Sequence, residues 1–216
     1  MKKIAVILAG CGVYDGAEIN EAVLTLLHIL KAGAEYQCFA PDIEQLHTIN
    51  HLTGEEMIAN RNVLVEAARI ARGDIKAITE LNIDDFDALI IPGGFGAAKN
   101  LSDFATQGTS ASVQADVLRS CQAFAEAKKA AGYMCIAPAM LPLIYPTGIK
   151  TTIGNDADTA AAISQLGAQH ENCTVDNIVV DEQHKVVSTP AYMLAENLLE
   201  ADKGIEKLVK KVLDLV

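Results

Sequence analysis

The sequence predicts a doubly wound α/β domain, and three observations lead there. Short apolar runs alternate with longer stretches whose apolar residues recur every three or four positions. The runs are nearly continuous rather than alternating in polarity, as expected of parallel strands covered on both faces. Half of the 216 residues are hydrophobic and 21% are charged, which excludes a disordered chain and supplies one sizeable core.

The elements follow in order. Residues 3–9 (KIAVILA) read as the first strand; the basic start resembles a leader, but the apolar stretch is short and GCGVYDGAE stands in place of a small-residue cleavage site. Residues 18–32 carry Ile19, Ala22, Val23, Leu26, Leu27 and Leu30 at helical spacing, with Gly33 as the stop. A strand over 35–40 is closed by Pro41, and 62–71 is helical. FDALII, residues 86–91, is the clearest central strand. A long amphipathic helix over 112–131 leads into a short strand at 132–134, and 157–166 is helical again. Strands at 178–181 and 185–188 flank the turn-like EQH. The closing helix over 196–215 has Lys207, Lys210 and Lys211 near its negative end. No repeat or linker interrupts the chain, so residues 1–216 are expected to form a single domain.

Charge and cysteine usage narrow the function. Seventeen basic against 28 acidic side chains give −11 at pH 7, the wrong sign for an electrostatic nucleic-acid binder or for a helix lying on anionic lipid. No apolar run approaches the roughly 18 residues of a membrane span. Cys11, Cys38, Cys121, Cys135 and Cys173 are odd in number, widely spaced and without a CxxC pair. That pattern argues against a disulfide framework or zinc knuckle, and a reducing cytoplasm is the expected location.

Active sites of doubly wound sheets lie beyond the carboxyl ends of the strands. The loop after the first strand presents Asp15 and Glu18 near a helix start, where the dipole favours a carboxylate; an N-cap explains them equally well. PGGFGAAKNLSDFA, residues 92–105, offers Gly93, Gly94 and Gly96, whose backbone N–H groups could hold an oxyanion or form a structural turn. It matches neither GxxxxGK[ST] nor GxGxxG, which argues against a nucleotide. GYMCIAPAM, residues 132–140, has a strand, then Cys135, then Pro138 just inside the next helix. A thiol at a helix N-terminus should have a lowered pKa, and the N–H of Ile136 would face the same point as the sulfur. A buried core cysteine is the alternative. Pro190 and Tyr192 follow the last strand and could wall the pocket, and simple packing explains Tyr192 equally well. His47 and His51 are four apart but lack the glutamate of HExxH and a third ligand, and His170 with Cys173 suits a turn, so no metal is expected.

Together GCGVYDGAEI, INHLTGE, RNVLVEAARIARG, PGGFGAAKNLS, MCIAPAML and IVVDEQHKVVSTPAYMLAENL resemble the ElbB family. That family lies in the ThiJ/PfpI group of the class I glutamine amidotransferase-like superfamily, and the resemblance runs from residue 1 to about residue 215. It implies a flavodoxin-like three-layer α/β/α sandwich with a mostly parallel sheet, usually as a homodimer. It further implies Cys135 at a nucleophile elbow, Glu18 beside the sulfur, and an oxyanion pocket from the Gly93–Gly94–Gly96 loop with Ile136 N–H. The activity implied is a low, cofactor-independent conversion of the dicarbonyl glyoxal to glycolate, with a family link to isoprenoid biosynthesis. The chain departs from the wider superfamily in lacking a histidine after the cysteine, where Ile136 stands, and in the TTIGND segment. A glutaminase or peptidase needs such a group for its leaving amine. A non-catalytic redox sensor or binding module using the same thiol is the competing expectation.

Overall fold

The computed structural model describes residues 1–216. In chain order the elements are β1 (Lys3–Ile7), α1 (Ile19–Lys31), β2 (Glu35–Ala40), α2 (Val63–Ile70), β3 (Ile75–Ala77), β4 (Ala88–Ile91), α3 (Phe95–Lys99), α4 (Phe104–Gln107) and α5 (Ala115–Glu126). They continue with β5 (Ala130–Met134), α6 (Leu141–Ile144), β6 (Lys150–Thr151), α7 (Ala157–Gln165), β7 (Gln169–His170), β8 (Val179–Asp181), β9 (Val186–Thr189) and α8 (Leu198–Asp214). The main sheet runs β3-β2-β1-β4-β5-β9-β8, parallel throughout except for the antiparallel β8–β9 edge. A separate parallel pair joins β6 to β7. The sheet first grows outward from β1 to β3 and then resumes from β1's other side with β4. The crevice at the ends of β1 and β4 is therefore the switch point where such folds bind ligands.

The sequence of β5 shows why the sheet is covered on both sides. Gly132 faces α8, where an added Cβ would lie 2.7 Å from Leu208 Cδ2 and 3.0 Å from Val212 Cγ2. Its neighbour Tyr133 points to the opposite face and is buried against Cys121 of α5. The fold is thus the flavodoxin-like sandwich, with α1 and α8 on one face and α5 on the other. In α8, Ala201, Gly204, Ile205, Leu208, Val209 and Val212 form the buried stripe, and the Asn197 side chain caps the helix by accepting from Glu200 N–H at 3.1 Å. His28 Nε2 and Asp202 Oδ1, 2.7 Å apart, tie α1 to α8.

Most predicted elements appear within a residue or two of their expected bounds. The long helix over 112–131 is the exception. It is α5, and it stops at Glu126 because Lys128 adopts φ 54° and turns the chain. Ala130 and Ala131, read as helix, belong to β5 and pair with Ala88 and Leu89. Alanine fits either structure, so partner strands decided the matter. In α1 the buried face is Glu21, Ala22, Leu24, Thr25, Leu26, His28 and Ile29. Ile19, Val23, Leu27 and Leu30 face outward, each 41–55% exposed.

Candidate active site

Cys135 follows β5 directly and adopts φ 59°, a left-handed conformation that costs a non-glycine residue roughly 1 kcal/mol or more. Its N–H donates to Thr189 O at the end of β9 (3.0 Å), and the buried 3-10 turn Ala137–Met140, with Pro138 in its first turn, follows. The strained residue is thereby held between two fixed elements. The sharp turn aims Sγ at the loops that follow β1 and β4.

Those loops are stitched together by main-chain bonds. Glu18 N–H donates to Gly93 O (2.9 Å), Phe95 N–H to Val13 O (2.8 Å) and Gly96 N–H to Gly16 O (2.8 Å). Gly93 must lack a side chain, because a Cβ there would sit 2.4 Å from Cys135 Cβ and 2.8 Å from Glu21 Oε2. Gly94 takes φ 91°. Of the four N–H groups expected to form the oxyanion pocket, two are engaged elsewhere: Gly93 donates to Glu21 Oε2 (2.8 Å) and Gly96 to Gly16. The N–H groups of Gly94 and Ile136 converge on the Cys135 sulfur.

The carboxylate in contact with that sulfur is Glu21, one helical turn beyond Glu18. The expected position of Glu18 is corrected accordingly: its carboxylate caps α1, with Oε2 accepting from Glu21 N–H at 2.6 Å. Glu21 is fully buried, accepts from Gly93 N–H (2.8 Å to Oε2) and from Tyr192 N–H (3.1 Å to Oε1), and lies beside the Cys135 thiol. Burial, aided by the neighbouring Glu18 charge, pushes its pKa up to about 7. Glu18 itself is also raised, by burial. Asp15 does not stand at the helix start as expected. It is buried, and its Oδ2 accepts from Ile49 N–H (2.7 Å), anchoring the irregular segment between β2 and α2.

The expected fall in the Cys135 pKa is also overturned. Burial raises it well above the ordinary thiol value, the Glu21 charge raises it further, and the Gly94 and Ile136 N–H groups lower it by less. The helix that was to stabilise the thiolate begins as a 3-10 turn and runs into the four residues of α6, two short turns with little dipole to offer. The resting site is therefore a protonated thiol beside a carboxyl group that titrates near neutrality.

Cys135 opens onto a cavity of about 330 Å³. Val13, Phe95, Phe104, Ile136, Tyr192 and Met193 supply most of its wall. Tyr192, which the sequence left open as pocket wall or packing, does line it, and its hydroxyl accepts from Asn20 Nδ2 (3.3 Å). No histidine reaches the cavity. His170 Nε2 accepts from Ile153 N–H (3.2 Å), and burial lowers its pKa. His47 lines a different cavity, formed by residues 45–48 and 56–60, while His51 packs against Tyr14 with ring centroids 4.9 Å apart. Cys11 and Cys173 also lie outside the cavity wall. No three His, Cys, Asp or Glu side chains cluster closely enough to hold a metal ion.

Glu21 is the residue that sequence reasoning missed. Its signal was present: a charged side chain in register with Thr25 and His28 on the sheet-facing side of α1.

No family model matches the chain. It is 45% identical to the rat mitochondrial ES1 protein homolog, over 99% of this chain and 84% of that protein. It is 44% identical to the human mitochondrial protein called glutamine amidotransferase-like class 1 domain-containing protein 3, over 99% and 83%. Among solved structures, an isoprenoid biosynthesis protein with an amidotransferase-like domain from Ehrlichia chaffeensis superposes with a TM-score of 0.93 at 35% identity, covering 100% of this chain and 99% of that one. The expected cytoplasmic location is overturned by these relatives, whose names place them in mitochondria. At these identities and coverages, the chain belongs to the ES1 family of class I glutamine amidotransferase-like proteins.

Proposed function

We propose that the chain is a cofactor-independent enzyme of the ElbB type that converts α-dicarbonyl aldehydes to hydroxy acids. Cys135 is the nucleophile and Glu21 the proton carrier. The observation that carries this reading is the buried thiol–carboxyl contact, closed on its far side by two converging N–H groups. A carboxyl group near 7 is matched to accepting and returning protons at neutral pH.

The chemistry needs only these groups. Glu21 takes the thiol proton as Sγ bonds to the aldehyde carbon, and the carbonyl electron pair moves onto oxygen. That oxygen rests on the Gly94 and Ile136 N–H groups and regains a proton from Glu21, giving a hemithioacetal. Glu21 then removes the proton on the former aldehyde carbon to form an enediolate and delivers it to the adjacent carbon, while the hydroxyl proton of the first carbon passes to the oxygen of the second, leaving a thioester. Water attacks the thioester, the C–S bond breaks, and the sulfur leaves as thiol. The sum is addition of one water to glyoxal, giving glycolate.

A glutaminase is poorly served here, since no histidine and no cationic side chain lines the cavity to protonate an amine or hold an amino-acid carboxylate. A redox sensor wants an accessible thiol of lowered pKa. Cys135 has the opposite on both counts. The homodimer implied by resemblance has a candidate surface in the outward stripe Ile19, Val23, Leu27 and Leu30. That stripe holds no charge on a chain of net charge −11, so a second copy is favoured there and disfavoured elsewhere.

The deciding experiment follows ¹³C-glyoxal to glycolate by NMR. Cys135→Ala should abolish turnover, and Glu21→Gln should lower kcat by about 10²–10⁴. Glu18→Gln should retain turnover while moving the acid limb of the pH–rate profile downward, because the Glu18 charge helps hold Glu21 up. Full activity in Cys135→Ala would overturn the scheme.

A further inference from the structure

The cavity beside Cys135 is larger and more apolar than glyoxal requires. At about 330 Å³ it has room for on the order of ten water-sized groups, whereas glyoxal has four heavy atoms. The polar features belong to the reacting end: the Gly94 and Ile136 N–H groups at the sulfur, with the Glu21 carboxyl buried behind it rather than in the wall. The remaining wall is aromatic or aliphatic, relieved only by the side chain of Thr159 and the hydroxyl of Tyr192. No lysine, arginine, histidine, aspartate or glutamate lines it. A charged substituent would lose its hydration there without gaining a partner, and a small polar dialdehyde would leave most of the apolar wall uncovered.

We infer that the site is built for α-ketoaldehydes R–CO–CHO in which R is an uncharged alkyl or aryl group of about five to eight carbons. The aldehyde carbon sits at Cys135 Sγ and R lies against Phe95, Phe104 and Met193. Glyoxal and methylglyoxal are then poor members of the true substrate class. This rests on the dicarbonyl reading above and follows the same steps. Sγ adds to the aldehyde carbon, Glu21 carries the proton from that carbon to the ketone carbon, and water releases R–CH(OH)–COO⁻. Ala105 stands exposed on α4 at the cavity wall, where a larger side chain would shorten the space without disturbing the core.

Two measurements on the full chain test this separately from the catalytic reading. The first is kcat/KM for the series from methylglyoxal to hexylglyoxal, with phenylglyoxal. Each methylene buried should raise it up to about fourfold, and phenylglyoxal should exceed methylglyoxal at least tenfold. The second is the rate of Cys135 alkylation by neutral iodoacetamides of increasing N-alkyl length, read by peptide mass spectrometry, which requires no turnover. Both slopes should flatten in Ala105→Phe, which narrows the cavity, and in Phe104→Ala, which removes apolar wall. Flat slopes in the wild type with Cys135-dependent turnover would overturn the apolar pocket and leave the dicarbonyl reading standing. Chain-length-dependent alkylation without turnover on any dicarbonyl would support the pocket and overturn the catalytic reading. Preference for iodoacetate over the neutral reagents would overturn the pocket outright.

Discussion

Glu21 should impose a pH dependence on stability that its removal erases. Its carboxyl group titrates at about 7 in the folded protein against an ordinary 4.5. With the folded value the higher one, the folded protein holds an extra proton between those limits. The Glu21 contribution to stability is therefore greatest below about pH 4.5 and declines as pH rises through 7, levelling off above it. Each tenfold difference in proton affinity is worth about 1.36 kcal/mol, so the whole interval amounts to roughly 3 kcal/mol, most of which falls between pH 5 and pH 8. The group is fully buried, so solvent screening does not reduce this.

Urea unfolding of the wild type and Glu21→Gln, followed by circular dichroism at pH 5 and pH 8, measures the effect. The wild type should lose about 2–3 kcal/mol more than the variant across that range. Absolute stability is the wrong readout, because a glutamine NH₂ would face either the Gly93 or the Tyr192 N–H and cost about 1–3 kcal/mol at every pH. The difference between the two pH responses isolates the carboxyl group. Parallel curves would refute the claim that a buried, neutral-titrating Glu21 sits beside the sulfur. The same titration should shape activity, with kcat/KM rising through about pH 7 as the thiol–carboxyl pair loses its first proton.

Gly93→Ala should lower stability by about 1–3 kcal/mol and suppress turnover, because the new methyl group meets Cys135 Cβ at 2.4 Å; wild-type activity in this variant would contradict the geometry. Asn100 Nδ2 donates to Ala9 O and Asp15 O, both at 2.9 Å, while its Oδ1 accepts from Leu46 N–H. Asn100→Ala should therefore cost about 1–3 kcal/mol in urea unfolding and open the segment between β2 and α2 to protease; unchanged cleavage would show that the segment is held by other contacts. Sedimentation should find the wild type dimeric and Leu27→Glu monomeric, and a monomeric wild type would refute pairing through α1.

The strands were legible because a parallel strand buried on both faces has to be apolar throughout, as Ile4–Ile7 and Ala88–Ile91 are. Cys135 was legible because strand, cysteine and proline follow one another along the chain. What sequence reading lost was orientation. In α1 the conspicuous aliphatic residues Ile19, Val23, Leu27 and Leu30 lie outside, and the side toward the sheet carries Glu21, Thr25 and His28. The helical spacing alone does not single out Glu21, and it is the family resemblance that puts Glu18 beside the sulfur. Helical periodicity gives a period without saying which stripe is covered when both are apolar. The boundary of α5 was lost for a related reason: Ala130 and Ala131 satisfy helix and strand alike, and only pairing with β4 separates them.

Features that defy local rules gather at one place. A carboxyl group buried in a helix face, a non-glycine residue at φ 59°, and a run of glycines where side chains would collide are each unfavourable in isolation. Here they depend on one another. Cys135 turns sharply enough that its Cβ occupies the space a side chain at Gly93 would need, and the same bare Gly93 brings its N–H to Glu21. Glu21 in turn accepts from Tyr192, the residue that walls the cavity. Relieving any one strain would displace the other two. A thiol and a carboxyl group held in contact at such cost, over an apolar cavity at the sheet's switch point, are better explained by chemistry than by packing, since apolar side chains of similar volume would avoid burying an ionisable group.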